Sequence, residues 1–266
     1  MNRWRKAFTI LAATAMGALA LPAAATASTE PEPVQYVALG DSYASGVGAG
    51  DYIPDGTLCL RSNNAYSAIW ADDTGADLDF QACGGAQIPD VYSSQIDALD
   101  EETDLVTISI GGNDVGFAGI MIGCTVLPDF ACIDKVDKAE ADGRDRVAGE
   151  LEQLYADLDA AAPNATVVVM GYPKLFSEVT CSYNAGISVA EQRRINDGVL
   201  VMDSIIREAA EAQGFRYADP VPTFEGHGSC AHPMYVHGLR GFAPESYHPT
   251  SLGQSDGFLP AFETAL

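Results

Sequence analysis

Basic residues are scarce in this chain: 14 Lys and Arg stand against 37 Asp and Glu in 266 residues, for a formal net charge of −23 at pH 7. A surface of that sign repels polyanions, so nucleic acid and anionic membrane are poor partners. Histidine is sparser still, with four residues, and the carboxylates are scattered rather than grouped, which reads as a solvated surface and not as a set of metal sites. Beyond Leu21 no apolar run approaches the ~20 residues of a spanning helix, so no stable membrane anchor is expected. Internal repeats are also missing, which excludes a solenoid or propeller. The only low-complexity stretch is the Ala/Thr/Pro-rich junction around Pro22 to Pro33.

What is present begins with "MNRWRKAFTILAATAMGALALPAAATAS". Arg3, Arg5 and Lys6 precede an apolar run from Ala7 to Leu21 and a small-x-small ending at Ala25, Thr26 and Ala27. That is the pattern of a secretory signal peptide over residues 1–27, and it predicts an extracellular product. The remaining residues 28–266 suffice for a single domain with a substantial core. In an exported chain an even number of cysteines implies disulfides. Six are present: Cys59, Cys83, Cys124, Cys132, Cys181 and Cys230. Fifteen connectivities are possible; the simplest is sequential, Cys59 with Cys83, Cys124 with Cys132 and Cys181 with Cys230. Under the loop-entropy model each bridge would stabilise by roughly 2.5 to 4 kcal/mol.

Short β-branched runs at 34–40, 77–85, 104–114, 166–172 and 215–219 alternate with helix-like segments at 63–73, 143–163 and 188–214. In the second of these, Val147, Leu151, Leu154 and Leu158 recur at helical spacing, and the third ends in a glycine suited to a helix C-terminus. Alternation of this kind predicts an α/β fold, a parallel sheet covered by helices on both faces. Sites in such sheets gather at the carboxyl ends of the strands. Three strand ends here are polar and glycine-rich: "GDSYASG", "ACGGAQ" and "GGND".

Those ends bring Ser42, Gly85 and Asn113 toward one edge. A serine hydroxyl needs a base, and His248 in "ESYHPT" is the late histidine in a suggestive setting. The oxyanion formed on attack needs preorganised donors, which the N–H groups of Ser42 and Gly85 and the amide of Asn113 would supply. Each element alone has a structural reading: a Gly-Asp-Ser turn, a strand-ending "GGND", an asparagine that caps the segment after it. Order, strand-end placement and spacing together point to catalysis.

The ordered set "GDSYASG", "CGGA", "GGND" and "ESYHP" resembles the four blocks of secreted GDSL-type esterases and lipases of the SGNH hydrolase superfamily, close to those of actinomycetes. The resemblance covers nearly all of the chain after the signal peptide, and the six-cysteine pattern with sequential pairing is similar too. It implies a three-layer α/β/α sandwich with a five-stranded parallel sheet, flavodoxin-like, and metal-free, cofactor-free catalysis through an acyl-enzyme. Ser42 would be nucleophile, His248 base, and Gly85 and Asn113 oxyanion donors. Substrates would be small-molecule or lipid esters, from acylglycerols and phospholipids to acetylated sugars, and the enzyme a monomer. One departure concerns the last block, where the family's usual aspartate is Glu245. A glutamate or the backbone carbonyl of Ser246 could orient the imidazole, and the extra methylene of Glu245 favours Ser246. Gly84 stands where relatives often carry serine, which should leave the donor at Gly85 intact.

Three rival readings are weaker. The loop "GDSYASGVGAG" lacks the Gly-Lys-Ser/Thr ending of a phosphate-binding loop and the spacing of a dinucleotide fingerprint. His227, Cys230, His232 and His237 crowd one segment, but an oxidised Cys230 could not ligate zinc. A catalytically silent binding protein of the same fold would not need Ser42, Gly85, Asn113 and His248 all in place. For substrate, the apolar segment from Phe117 to Ile133 reads equally as the wall of an acyl-binding cleft and as core beneath a disulfide-closed loop. Lipase or phospholipase activity is thereby modestly favoured over carbohydrate (acetyl) esterase activity.

Overall fold

The five β-branched runs become strands β1 (Gln35–Gly40), β2 (Asp77–Phe80), β3 (Leu105–Ser109), β4 (Thr166–Met170) and β5 (Arg216–Ala218) in the computed structural model, which describes residues 32–241 and 243–266. The expected signal peptide, residues 1–27, lies outside the described residues. The sheet order is β2-β1-β3-β4-β5, with every pairing parallel. Central strands β1, β3 and β4 are buried along nearly their whole length, while Asp77 and Asp79 keep the edge strand β2 half in water. Apolar runs without alternation are what burial on both faces requires.

Helix α1 (Ser42–Ser45) follows β1 directly, and α2 (Tyr66–Thr74), α3 (Ile88–Ser94), α4 (Phe117–Val126) and α5 (Asp129–Asp142) follow in order. A π-helical turn at Gly143–Val147 leads into α6 (Ala148–Ala161), then come α7 (Val189–Ala212) and, after a second π-turn at Gly253–Phe258, α8 (Leu259–Ala265). Helices α2 and α8 pack together on one face, against β2 and against β4 and β5 respectively; α6 and α7 pack together on the other, with α3 beside α6. The result is the three-layer sandwich. Val147, Leu151, Leu154 and Leu158 are all fully buried, and each contributes about 1.5–3 kcal/mol relative to exposure. On the opposite face Tyr36 packs edge-on to Trp70 and stacks with Phe262.

Two differences from the sequence reading matter. The strands at 77–85 and 104–114 are shorter than expected, because their glycine-rich ends leave the sheet and turn over its carboxyl edge. The segment after Phe117 is no loop: it forms α4 and α5, joined by a short turn at Leu127–Pro128. The cysteines pair Cys59–Cys83, Cys124–Cys132 and Cys181–Cys230.

The order of the sheet reverses between β1 and β3, and there the chain is held most tightly. Gly40 has φ +123°, and a Cβ on it would meet the Ser109 backbone, with the Ser109 nitrogen at 2.8 Å and its carbonyl oxygen closer still. Only glycine permits that approach. The buried Gln95 side chain grips the same residue: the Gly40 N–H donates to Oε1 at 2.7 Å, and Nε2 donates to the Gly40 carbonyl at 3.0 Å. Gln95→Ala leaves the Gly40 N–H buried without an acceptor, at a cost of about 1–3 kcal/mol. Urea unfolding should show a lower midpoint at unchanged slope; an unchanged midpoint would mean the group finds another partner.

Candidate active site

Asp41 caps α1, accepting the Tyr43 N–H on Oδ1 at 2.9 Å, while its own N–H donates to the Ser109 carbonyl at 2.9 Å. A strand thus passes into a one-turn helix with no intervening loop, and Gly46 in the left-handed region ends that helix four residues later. Ser42 therefore sits at the carboxyl edge of the sheet, at the reversal point, where open α/β sheets bind ligands. Its Oγ lies 2.7 Å from Nε2 of His248.

His248 arrives from the loop before the second π-turn, and its Nδ1 is 2.9 Å from the Ser246 carbonyl oxygen. A carbonyl only accepts, so Nδ1 carries the proton and Nε2 is the acceptor for the Ser42 hydroxyl. The Glu245 carboxylate is turned elsewhere: it accepts from the Tyr52 hydroxyl at 3.2 Å, and that hydroxyl accepts the Gly48 N–H at 3.1 Å. The structure therefore brings together Ser42, His248 and the Ser246 carbonyl, and leaves the Glu245 carboxylate outside that set, although the Glu245 backbone carbonyl accepts the His248 N–H at 3.2 Å. Burial is the main influence on the imidazole and holds its pKa down at about 4, against smaller opposition from the Ser246 carbonyl.

The Ser42 and Gly85 N–H groups donate to no acceptor among the described residues. Cys83 N–H donates to the Gly40 carbonyl at 3.0 Å, which lays the "CGGA" turn beside the start of α1, and Gly85 takes φ +83°, which aims its peptide as few other residues could. Gly84 N–H donates to the Cys59 carbonyl, so the glycine at that position braces the turn by its backbone. Asn113 donates one amide hydrogen to the Ala86 carbonyl at 3.0 Å and keeps the second; it lines the same cleft as Ser42.

Three supporting residues escaped the sequence reading. Tyr172, at the carboxyl end of β4, donates to Asp41 Oδ2 at 2.6 Å and accepts the Gly112 N–H at 3.2 Å, linking the turn of Ser42 to that of Asn113. Tyr43 donates to the Tyr247 carbonyl at 2.7 Å and lies with its ring centroid 5.2 Å from that of His248, linking the serine turn to the histidine loop. Gln95 is the third. Position at the end of a strand was the available signal for Tyr172, and adjacency to Ser42 the one for Tyr43; Gln95 carried none.

The cleft beside Ser42, of about 80 Å³, is walled almost wholly by apolar side chains, among them Val115, Ile120, Val136, Leu175, Ile195 and Met202. Phe117 and Ile120 of α4 line it and Met121 is core, whereas Ile122 and Leu127, expected in one reading to be core, are exposed. The histidine-rich segment is otherwise engaged: Cys230 is bridged to Cys181, and His227 stacks on Tyr235. Among the described residues no group of three or more His, Cys, Asp and Glu is placed to hold a metal ion, and no helix is long and apolar enough to cross a membrane.

A serine and a histidine in contact at the carboxyl edge of a five-stranded parallel sandwich form a pair of the kind that nucleophilic ester hydrolysis uses. The GDSL-like lipase/acylhydrolase family model matches residues 38–255, and the chain belongs to that family. It is 39% identical to a lipase of Streptomyces rimosus over 268 aligned positions, covering 100% of both chains, and 39% identical to Lipase 1 of Streptomyces coelicolor, again over 100% of both. Crystal structures of the extracellular lipase from Streptomyces rimosus and of phospholipase A1 from Streptomyces albidoflavus NA297 each superpose with a TM-score of 0.84, at 39% and 38% identity, covering 88% of this chain and 100% of theirs. The protein is a carboxylic ester hydrolase of the lipase/esterase kind.

A histidine buried in its neutral form titrates low and destabilises the fold in acid, because the unfolded chain takes up the proton first. NMR titration of His248 should give a midpoint near 4, well below the ordinary 6.5. Between those two values stability should fall as pH falls. A midpoint near 6.5 would show that the imidazole is not desolvated.

Proposed function

We propose that the chain is a secreted serine hydrolase that cleaves lipid carboxylic esters through an acyl-enzyme on Ser42, with His248 as base. The 2.7 Å contact between Ser42 Oγ and His248 Nε2 carries this reading. Oγ attacks the ester carbonyl carbon as its proton passes to Nε2. The tetrahedral oxyanion is held by the Ser42 and Gly85 N–H groups and the free amide hydrogen of Asn113. Collapse expels the alcohol, which takes the proton back from Nε2. Water then attacks the acyl-enzyme, losing its proton to Nε2, and Ser42 is regenerated as the acid leaves. Throughout, the Ser246 carbonyl accepts from Nδ1 and holds the ring in the productive tautomer.

The apolar cleft beside Ser42 favours an acyl chain over a sugar. The phospholipase A1 among the similar structures supports a glycerophospholipid or acylglycerol ester as substrate. Export is supported by the amino-terminal pattern at residues 1–27, by three disulfides and by the extracellular Streptomyces rimosus relative. Residues 28–266 would then be the functional unit, acting as a monomer without metal or cofactor.

A fluorophosphonate probe should label Ser42, and Ser42→Ala should abolish both labelling and ester hydrolysis while the protein stays folded. Hydrolysis within tenfold of the parent would defeat the assignment. Absence of labelling in folded parent protein would favour a silent binding protein.

The orienting acceptor can be tested separately. In triads a carboxylate stabilises the imidazolium, and its loss costs ~10⁴ in kcat. Here a carbonyl takes that place, so Glu245→Gln should cost less than about tenfold. A thousandfold loss in a correctly folded variant would return the glutamate to a triad.

A further inference from the structure

Helix α4, "FAGIMIGCTV", carries no charged residue on any face. A helix that is apolar all round is ordinarily buried. This one is buried on one side only: Phe117 and Ile120 line the cleft, and Met121 and Cys124 enter the core. On its outer side Ile122 is 67% and Val126 72% exposed, and the patch continues across the turn with Leu127 at 41% and Phe130 at 75%. Ile122 and Val126, four residues apart, lie on one stripe of the helix. The Cys124–Cys132 bridge ties the turn that joins them to Phe130. Contiguous exposed apolar surface rimmed by polar residues marks an interaction site.

We propose that Ile122, Val126, Leu127 and Phe130 form a docking surface for an uncharged or zwitterionic lipid interface, of the kind a phosphatidylcholine bilayer presents. The inference rests on the lipid-ester reading of the cleft. Continuity with that cleft argues for the occupant. One helix of about 10 Å diameter separates patch from cleft, so seating the outer face in the boundary between headgroups and acyl chains brings the cleft to the depth where lipid esters lie. Charge selects the lipid. A chain of net charge −23 is repelled by an anionic bilayer, whereas a zwitterionic one makes no demand for basic residues, and the patch has none.

The experiment separates docking from chemistry. Ser42→Ala protein, unable to turn over, should sediment with phosphatidylcholine vesicles, and Ile122→Ser with Phe130→Ser in that background should weaken the association at least tenfold. The single change Val126→Ser should weaken it about threefold. With Ser42 intact, the Ile122→Ser/Phe130→Ser variant should hydrolyse dissolved p-nitrophenyl butyrate within twofold of the parent, which also establishes its fold. It should hydrolyse p-nitrophenyl palmitate carried in the same vesicles at least tenfold more slowly. Undiminished vesicle association of the variants would overturn the proposal, as would a preference for anionic vesicles. So would patch variants that convert a dimer to monomer without changing vesicle association, since the occupant would then be a second copy. A parent inert toward both esters, whose Ser42→Ala form still binds vesicles through the patch, would refute the hydrolase reading and leave the docking surface standing.

Discussion

The peptide at Gly40 is the contact on which the rest of the site depends. Its N–H and carbonyl are both taken by the Gln95 amide, its carbonyl also accepts the Cys83 N–H, and the next N–H, that of Asp41, closes onto Ser109. Those bonds fix the ends of three neighbouring strands to one another. Because the chain enters α1 within one residue of that clamp, the position of Ser42 follows from the sheet and not from a loop. Gly85 inherits its place from Cys83 and Asn113 from the chain after Ser109. Displacement of one strand end would move Ser42, Gly85 and Asn113 together, which preserves their mutual geometry.

A second set of bonds holds what the sheet cannot reach. Asp41 is buried, and burial raises its pKa to about 7 although the Tyr172 hydroxyl and the Tyr43 N–H both act to lower it. A carboxyl so placed is costly to ionise, yet it joins the serine turn to the asparagine turn through one phenol. Tyr43 does the same for the histidine loop, where Tyr247 adopts a φ of +61°, a conformation that costs a non-glycine residue of order 1 kcal/mol or more. The strained peptide is the one whose carbonyl receives the Tyr43 hydroxyl. Preorganisation here consists of Tyr43 and Tyr172 spanning between elements, both satisfied at the polar tip and packed along the ring.

Strands, helix stripes and the serine and histidine motifs were legible in the sequence because each depends on residues close together in the chain. β-branched runs report β1, β3 and β4, and the spacing of Val147, Leu151, Leu154 and Leu158 reports the buried stripe of α6 and the turn before it. What stayed hidden depends on distance or on groups that every residue carries. Gln95 meets Gly40 across 55 positions and Tyr172 meets Asp41 across 131, with no local pattern at either end. The Ser246 carbonyl is invisible as a residue type; only the departure at Glu245 drew attention to it. Between Phe117 and Ile133 the helices are hidden because α4 lacks the polar face from which amphipathic period is recognised.

That same absence of period separates the two tasks of the molecule. The groups proposed to react sit at the start of α1, on the turns after β2 and β3, and in the loop before α8, all tied to the sheet. The apolar cleft is walled largely by α4, α5 and α7, and the first two lie between β3 and β4 in the chain. Ile120 and Val136 thus reach the cleft from helices that hold neither Gly40, Ser42 nor His248, whereas Ile195 reaches it from α7, which also packs on β4 and β5. A helix that walls a cleft on one side and faces solvent on the other is ordinarily polar on the outer side, so apolar residues there call for a partner such as the proposed lipid interface. The composition of α4, uncharged and with Ile122 and Val126 exposed in an otherwise acidic surface, is what that proposal accounts for.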